Sequence, residues 1–287
     1  MSASRSWGVL KPGSGKADHP IFRSAAVTKS LAVITGASSG IGMVFARKLA
    51  SSYDLLLIAR RRERLDALAS ELAAQHGSVV EVLAADLTDN DALSVVADRI
   101  AGESNLAMLV NNAGFGFRGA FWETDLGVIE RMHQLHVMAT VRLSHAALRV
   151  LVAQNRGAVI NVASVAAFGQ RAGSASYGAT KSWLTAFTEG LYLDLKRAGS
   201  AVTVQALCPG FTYSEFHDII GEDRQALAPA SLWMTAEDVV DDSLGALADG
   251  SLFVVPGWRY KFMISVLTKL PTWLKLRVEA SRLSRRS

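Results

Sequence analysis

Short apolar runs alternate with helical stretches six times along this chain, and that alternation limits the fold more than any other feature. The runs cover 31–35, 54–59, 78–84, 106–110, 157–162 and 201–207, with a short seventh at 252–255. They read as continuous apolar segments, the pattern of strands buried on both faces of a parallel sheet. Helical stretches are expected at 43–51, 61–75, from a cap at Thr88 to about 100, 125–154, 174–197 and 235–248. The expected fold class is α/β: a doubly wound parallel sheet with right-handed crossovers and helices on both faces. Ligands bind such sheets beyond the C-terminal ends of the strands. Gly36 to Gly42, Arg60, Asp86, Asn112, Ser164, Tyr177 and Pro209-Gly210 all follow strand ends, so one edge of the sheet should gather them.

The first strand runs into Gly36-Ala37-Ser38-Ser39-Gly40-Ile41-Gly42 and then into a helix. Glycines let a backbone approach a pyrophosphate, and the helix N-terminus offers free amides and a positive dipole end. The spacing is Gly-x-x-x-Gly-x-Gly and differs from the common Gly-x-Gly-x-x-Gly dinucleotide fingerprint. The second strand ends in Arg60-Arg61-Arg62, with no acid before Glu63. In a dinucleotide-binding unit this strand end faces the adenosine ribose, where an acid would accept from a 2′-hydroxyl. Arginine forks there suit a 2′-phosphate and point to NADPH over NADH. The alternative is that the arginines only open a solvated helix.

Tyr177 and Lys181 stand four residues apart, which on a helix places them on one face. A free phenol has a pKa of about 10, and a neighbouring ammonium favours the phenolate. The pair can form a tuned general acid or base, with Ser164 offering a hydroxyl to the same substrate oxygen. Tyr and Lys at this spacing also occur on many helices for structural reasons, so the rest of the chain has to decide.

With 287 residues, half of them hydrophobic, the chain can bury a large core. No repeat or low-complexity linker divides it. The expected organisation is a flexible N-terminal extension over 1–30, one domain over 31–256 and a basic amphipathic C-terminal extension over 257–287. Cys208 is the only cysteine, which excludes an internal disulfide framework and suits a reducing, cytoplasmic setting. It reads as a small buried residue. Residues 1–30 carry five Lys or Arg and one acid; residues 258–287 carry eight and one. The remaining 227 residues hold 17 basic and 24 acidic groups, so the net charge of +4 comes from the ends. An acidic body argues against nucleic acid as a partner. No run of 18 apolar residues appears, and 1–30 lacks the apolar segment of a secretory signal. Residues 1–30, which contain Ser, Arg and Lys with one acid, also have the look of an organellar transit segment, beside that of a disordered tail.

Taken together and in order, these motifs resemble the short-chain dehydrogenase/reductase family over about residues 30 to 256. The matching pieces are Thr35-Gly36-Ala37-Ser38-Ser39-Gly40-Ile41-Gly42, Asp86-Leu87, Asn111-Asn112-Ala113-Gly114, Ser164, Tyr177-Gly178-Ala179-Thr180-Lys181 and Pro209-Gly210. The resemblance implies a Rossmann-type domain that binds a nicotinamide dinucleotide and uses no metal. By that likeness Gly36, Ser38, Ser39, Gly40, Ile41 and Gly42 line the pyrophosphate turn. Asp86 and Leu87 flank the adenine. Asn112, Ala113 and Gly114 approach the ribose, and Pro209, Gly210 and Thr212 the carboxamide. Tyr177 is the proton donor or acceptor, Ser164 polarises the carbonyl oxygen, and Lys181 binds the nicotinamide ribose and lowers the Tyr177 pKa. The family often carries an asparagine in the long helix before the fifth strand, in a proton relay to the lysine. Here that position is His136. A neutral imidazole can pass a proton or hold a water; it can equally only pack in the helix.

Substrate choice is expected to rest on 212–234, with Phe211, Tyr213, Phe216, Ile219, Ile220, Leu227, Leu232 and Trp233. Phe115, Phe117, Phe121, Trp122 and Phe168 lie near other strand ends. An apolar pocket follows, for an aliphatic or ring ketone, or the matching alcohol. Arg118 and Arg171 at the mouth can anchor an anionic tail or be solvated. The C-terminal segment should form two short helices broken by Pro271. Its basic amphipathic character suits packing over the substrate mouth, a second subunit, or peripheral contact with an anionic membrane. The family is commonly a homodimer or homotetramer. The leading expectation is an NADP(H)-dependent oxidoreductase acting on a carbonyl or secondary alcohol. The alternatives are a non-catalytic nucleotide-binding regulator on the same fold and a membrane-associated lipid ketone reductase.

Overall fold

The sheet is built from seven parallel strands in the order β3-β2-β1-β4-β5-β6-β7. The computed structural model describes residues 29–215 and 227–283. The strands are β1 (Leu31–Thr35), β2 (Asp54–Ala59), β3 (Val80–Ala84), β4 (Leu106–Asn111), β5 (Ala158–Val162), β6 (Thr203–Leu207) and β7 (Phe253–Val254). Alternate residues feed two cores. Ala32 and Ile34 of β1 and Leu55 and Leu57 of β2 face one layer. There they meet Phe45 and Leu49 of α1 (Gly40–Leu49) and Leu65, Leu68 and Leu72 of α2 (Arg62–His76). Val33, Leu56 and Ile58 face the other layer, with Leu93, Val96 and Ile100 of α3 (Asn90–Ala101). Burial on both faces is why the strands read as unbroken apolar runs.

After β3 the chain returns to the other side of β1 to form β4. The strand order therefore reverses between β1 and β4, the position where open α/β sheets bind nucleotides. The Gly-rich turn, leaving β1, opens at that point.

Three local expectations change. The helix expected over 125–154 is α4 (Leu126–His133), a π-helical stretch Gln134–Ala139, and α5 (Thr140–Gln154). The cap of α3 is Asp89, which accepts from Ala92 N at 2.8 Å. Thr88 instead closes a turn on Asp86 Oδ1 through its amide and its hydroxyl, at 2.9 and 2.8 Å. Lys29 and Ser30, assigned to the N-terminal extension, belong to the body: Lys29 donates to Ala50 O and His76 O, and Ser30 bonds Asn105. Residues 1–28 lie outside the described residues.

By length and composition Leu126–Gln154 is long and apolar enough to cross a membrane. In this fold Leu143, Ala146, Ala147 and Leu151 of α5 pack under the sheet, which accounts for its apolar content.

Following α6 (Ala175–Arg197) and α7 (Ala236–Ala248), the chain ends in α8 (Trp258–Lys269) and α9 (Thr272–Leu283), on either side of Pro271. Thr235 caps α7 in a reciprocal capping box with Asp238. Tyr260 fixes α8 to the body. Its hydroxyl accepts from Phe211 N at 2.9 Å and donates to Leu232 O at 2.7 Å, and its ring lies against Gly210, where a Cβ would fall 2.0 Å from Cζ. The opposite side of the two helices leaves Trp258, Phe262, Val266, Trp273 and Leu276 exposed.

Candidate active site

The turn after β1 is held from across the sheet. Thr35 Oγ1 accepts from Asn112 N at 2.9 Å and Ala113 N at 3.0 Å, and donates to Val110 O. Asn112 Nδ2 donates to Thr35 O at 2.9 Å and Gly36 O at 3.3 Å, so the Asn112 amide shapes the turn. Gly36 has φ +67°, and Gly42 has no room for a side chain: its Cβ would lie 2.4 Å from Gly36 O. At the start of α1, Ser39 makes no side-chain capping bond and the first turn holds no acid. Free amides, a positive helix end and a glycine cradle fit a pyrophosphate. Leu87 is buried just past β3, beside the Asp86 turn.

At the end of β2, Arg61 crosses the turn. Its Nε and Nη2 donate to Ser38 Oγ at 3.2 and 3.0 Å, Nη2 reaches Ser39 Oγ at 3.0 Å, and Nη1 pairs with Glu215 Oε2 at 2.8 Å. Arg64 Nη1 closes on the other oxygen of Glu215. Sequence reasoning found Arg61 but not Arg64 or Glu215. Arg60 is exposed.

Tyr177 sits in the first turn of α6, and α6 is fixed against β4 and β5 by buried polar groups. Asn111 Nδ2 donates to Ser144 Oγ at 3.0 Å and Asn161 Oδ1 at 2.9 Å, and Asn161 Nδ2 donates to Thr188 Oγ1 at 2.9 Å. All four residues are buried, so the network sets one register of α6 on the sheet. Ser164 caps the turn Val165–Phe168, accepting from Ala166 N at 3.1 Å, and its hydroxyl bonds the Tyr177 side chain. Lys181 is buried; Nζ donates to Val162 O at 2.8 Å and lies 5.8 Å from the centre of the Tyr177 ring. Ser164, Tyr177 and Lys181 thus meet at the C-terminal ends of β5 and β6.

Their electrostatics differ from the expectation that Lys181 lowers the Tyr177 pKa. Burial pushes the Tyr177 phenol up to about 12, and the bond with Ser164 pulls the other way. Burial pushes Lys181 down to about 8. Desolvation disfavours both charged forms. Cys208, wholly buried below, is likewise pushed up to about 12 by burial and stays a thiol at neutral pH.

His136 lies in the π-helical stretch and is 1 % exposed. Nε2 accepts from Phe115 N at 3.2 Å, which places the ring proton on Nδ1; Nδ1 donates to Thr180 Oγ1 at 2.9 Å, and Thr180 donates to Tyr177 O. The imidazole therefore ties the loop after β4 to the first turn of α6. Both ring nitrogens are engaged, so a relay through the ring would have to break one of these bonds. Gly114 keeps the contact open, since a Cβ there would lie 2.9 Å from Nε2. Burial, then Lys181 and His133, hold the His136 pKa well below the usual value. Above about pH 6.5 the ring is neutral folded and unfolded; below it only the unfolded chain takes the proton, so stability falls with falling pH. Urea unfolding between about pH 7 and pH 5 should show the parent losing up to about 1.4 kcal/mol per pH unit more than His136→Asn. Parallel profiles would contradict this.

On the substrate side Trp233 is buried, stacks on Tyr213 at 5.1 Å and leans on Phe211 at 5.3 Å. Thr212 is buried and bridges to Met234. Phe168 packs on the Ala163 and Cys208 cluster, whereas Phe121 and Trp122 face solvent. Phe216, Ile219 and Ile220 lie outside the described residues. Among the described residues no group of three His, Cys, Asp or Glu is placed to hold a metal.

Comparison with known proteins agrees with this geometry. Residues 30–225 match the short chain dehydrogenase family, and the chain belongs to it. A sulfoacetaldehyde reductase from Chromohalobacter salexigens is 36% identical over 187 residues, 64% of this chain and 72% of that protein. A short-chain dehydrogenase from Sphingobium yanoikuyae, solved with NADPH, is 33% identical with TM-score 0.75, covering 85% of this chain and 97% of that one. A bulky-bulky ketone specific alcohol dehydrogenase from Comamonas testosteroni is 29% identical with TM-score 0.72, covering 85% and 95%. Solved neighbours hold NADPH in one case and NAD in another. The protein is an NAD(P)-dependent oxidoreductase of the alcohol and carbonyl class with a Rossmann-type fold.

Proposed function

We propose that the protein is an NADP(H)-preferring carbonyl reductase for a mainly apolar ketone. The observation that carries the cofactor choice is Arg61, laid against Ser38 and Ser39 at the end of β2, where the run Arg60-Arg61-Arg62 carries no acid. A guanidinium and two hydroxyls suit a phosphate monoester. Thr35, Asn112 and the glycine turn would hold the pyrophosphate end. The bound nicotinamide supplies the hydride.

The chain's own residues manage the oxygen. Ser164 and the Tyr177 hydroxyl converge on the carbonyl oxygen and polarise it by hydrogen bonding. With its pKa near 12, Tyr177 is a neutral phenol at neutral pH and holds the proton that the oxygen needs on reduction. An alkoxide is the stronger base, so that transfer runs downhill. The reverse reaction, oxidation of an alcohol, would use the phenolate as the proton acceptor. Lys181, whose Nζ donates to Val162 O, would bind a ribose hydroxyl and return some positive charge to the site. The stacked Phe211, Tyr213 and Trp233 beside Thr212 support an apolar substrate. The test is kcat/KM with NADPH against NADH on one ring ketone: NADPH should be favoured by about tenfold or more, and Arg61→Ala should erase the difference. Equal use of both cofactors by the parent would overturn the reading.

A second reading adds peripheral contact with an anionic membrane. It is favoured by the exposed Trp258, Phe262, Val266, Trp273 and Leu276, flanked by Lys261, Lys269 and Arg277. Sedimentation with phosphatidylserine vesicles should carry down the full chain and lose the Trp258→Ser, Phe262→Ser double variant. No sedimentation of the parent would remove this reading.

A further inference from the structure

The carboxylate of Glu215 lies between two guanidinium groups at the adenosine end of the groove. Arg61 Nη1 donates to Oε2 at 2.8 Å, and Arg64 Nη1 closes on Oε1. Arg61 also bonds the two serine hydroxyls of the glycine-rich turn. Two arginines around one anion, one of them held by two serine hydroxyls, form a site with the chemistry of a phosphate monoester, and here a side chain of the protein fills it. Both arginines lower the Glu215 pKa, so the anion persists at neutral pH.

Glu215 reaches this place because of the path of the chain. From Pro209-Gly210 at the catalytic end, Thr212 is buried and paired with Met234. Ser214 then crosses the glycine turn, its Cβ 3.1 Å from where a Cβ on Gly40 would stand. Five residues therefore span the groove from the Ser164 side to Arg61. The segment that carries Phe211 and Tyr213, both against Trp233, ends in the carboxylate between the arginines.

We propose that Glu215 is a cofactor-selectivity residue: its carboxylate competes with the 2′-phosphate of NADPH for Arg61 and Arg64. The competition rests on the NADP(H) reading given above. The two guanidinium groups carry two positive charges and Glu215 cancels one. A phosphate dianion arriving there must displace or repel the carboxylate, because like charges at such short range oppose each other. NADH has no phosphate and leaves the Glu215 contacts intact. The phosphorylated cofactor alone thus loosens the tie that Glu215 makes between the adenosine end and the chain leading to Thr212.

The experiment is Glu215→Gln, which keeps the shape and one acceptor but removes the charge. Adenosine 2′-monophosphate, adenosine 5′-monophosphate, NADPH and NADH are each titrated into the full chain and the variant. The variant should bind NADPH and adenosine 2′-monophosphate roughly fivefold more tightly, with NADH and adenosine 5′-monophosphate unchanged. The gain should shrink in high salt. Unchanged or weaker NADPH binding in Glu215→Gln, in a protein whose parent prefers NADPH, would overturn the competition and leave the carboxylate as a group that merely orders Arg61. Equal parental affinity for NADPH and NADH would instead remove the cofactor reading itself, so the two failures are distinct.

Discussion

Tyr177→Phe is expected to lower kcat for ketone reduction by about 10³-fold while the Kd for NADPH stays within about twofold. The substitution removes one oxygen and little else. The ring keeps its edge-on contact with His136, 6.0 Å between centres, and Thr180 still donates to the backbone carbonyl of residue 177. Ser164 loses its phenol partner but keeps its bond with Ala166 N. The fold of α6 is held by the Asn111, Asn161 and Thr188 network, which the change does not touch. What disappears is the proposed proton source for the developing alkoxide, and no other titratable hydroxyl bonds Ser164 among the described contacts. A transition-state interaction lost without a ground-state one should lower kcat and kcat/KM alike. Stopped-flow absorbance of NADPH separates the chemical step from cofactor binding. A variant that keeps a tenth of the parental rate would show that Tyr177 is not the proton donor.

Much of the fold was legible because buried parallel strands leave an unambiguous trace. The runs at Leu31–Thr35 and Asp54–Ala59 end where the strands end, since charged or glycine residues follow at once. The glycine turn, Ser164, Tyr177 and Lys181 were legible through spacing and order. The π-helical stretch at Gln134–Ala139 was not. Widening one turn of a helix changes neither its apolar content nor its length, so the sequence reads as one helix across it. The sense of the Tyr177 and Lys181 pKa shifts was also hidden. Spacing places an ammonium near a phenol, but the depth of burial that decides the sign belongs to the tertiary structure. Glu215 and Arg61 are 154 residues apart, and Tyr260 and Phe211 are 49 apart. No local pattern marks either pair, because each exists only once the chain after β6 folds back over the groove.

Arg61→Ala is the second large expected effect. Arg61 makes its bonds to Ser38, Ser39 and Glu215 at the surface, so its removal should cost the fold little. Charge-assisted bonds to a bound phosphate are worth about 1.5–3 kcal/mol each, which for one such bond sets a loss of roughly 10- to 100-fold in NADPH affinity. NADH, without the phosphate, should bind the variant within about twofold of the parent. The most direct measurement is therefore fluorescence titration of NADPH and NADH into the parent and Arg61→Ala. The expected result is a parent that binds NADPH at least about tenfold more tightly than NADH, and a variant that binds the two alike. A parent that binds both equally, or a variant that keeps the NADPH preference, would contradict the assignment of Arg61 to the 2′-phosphate.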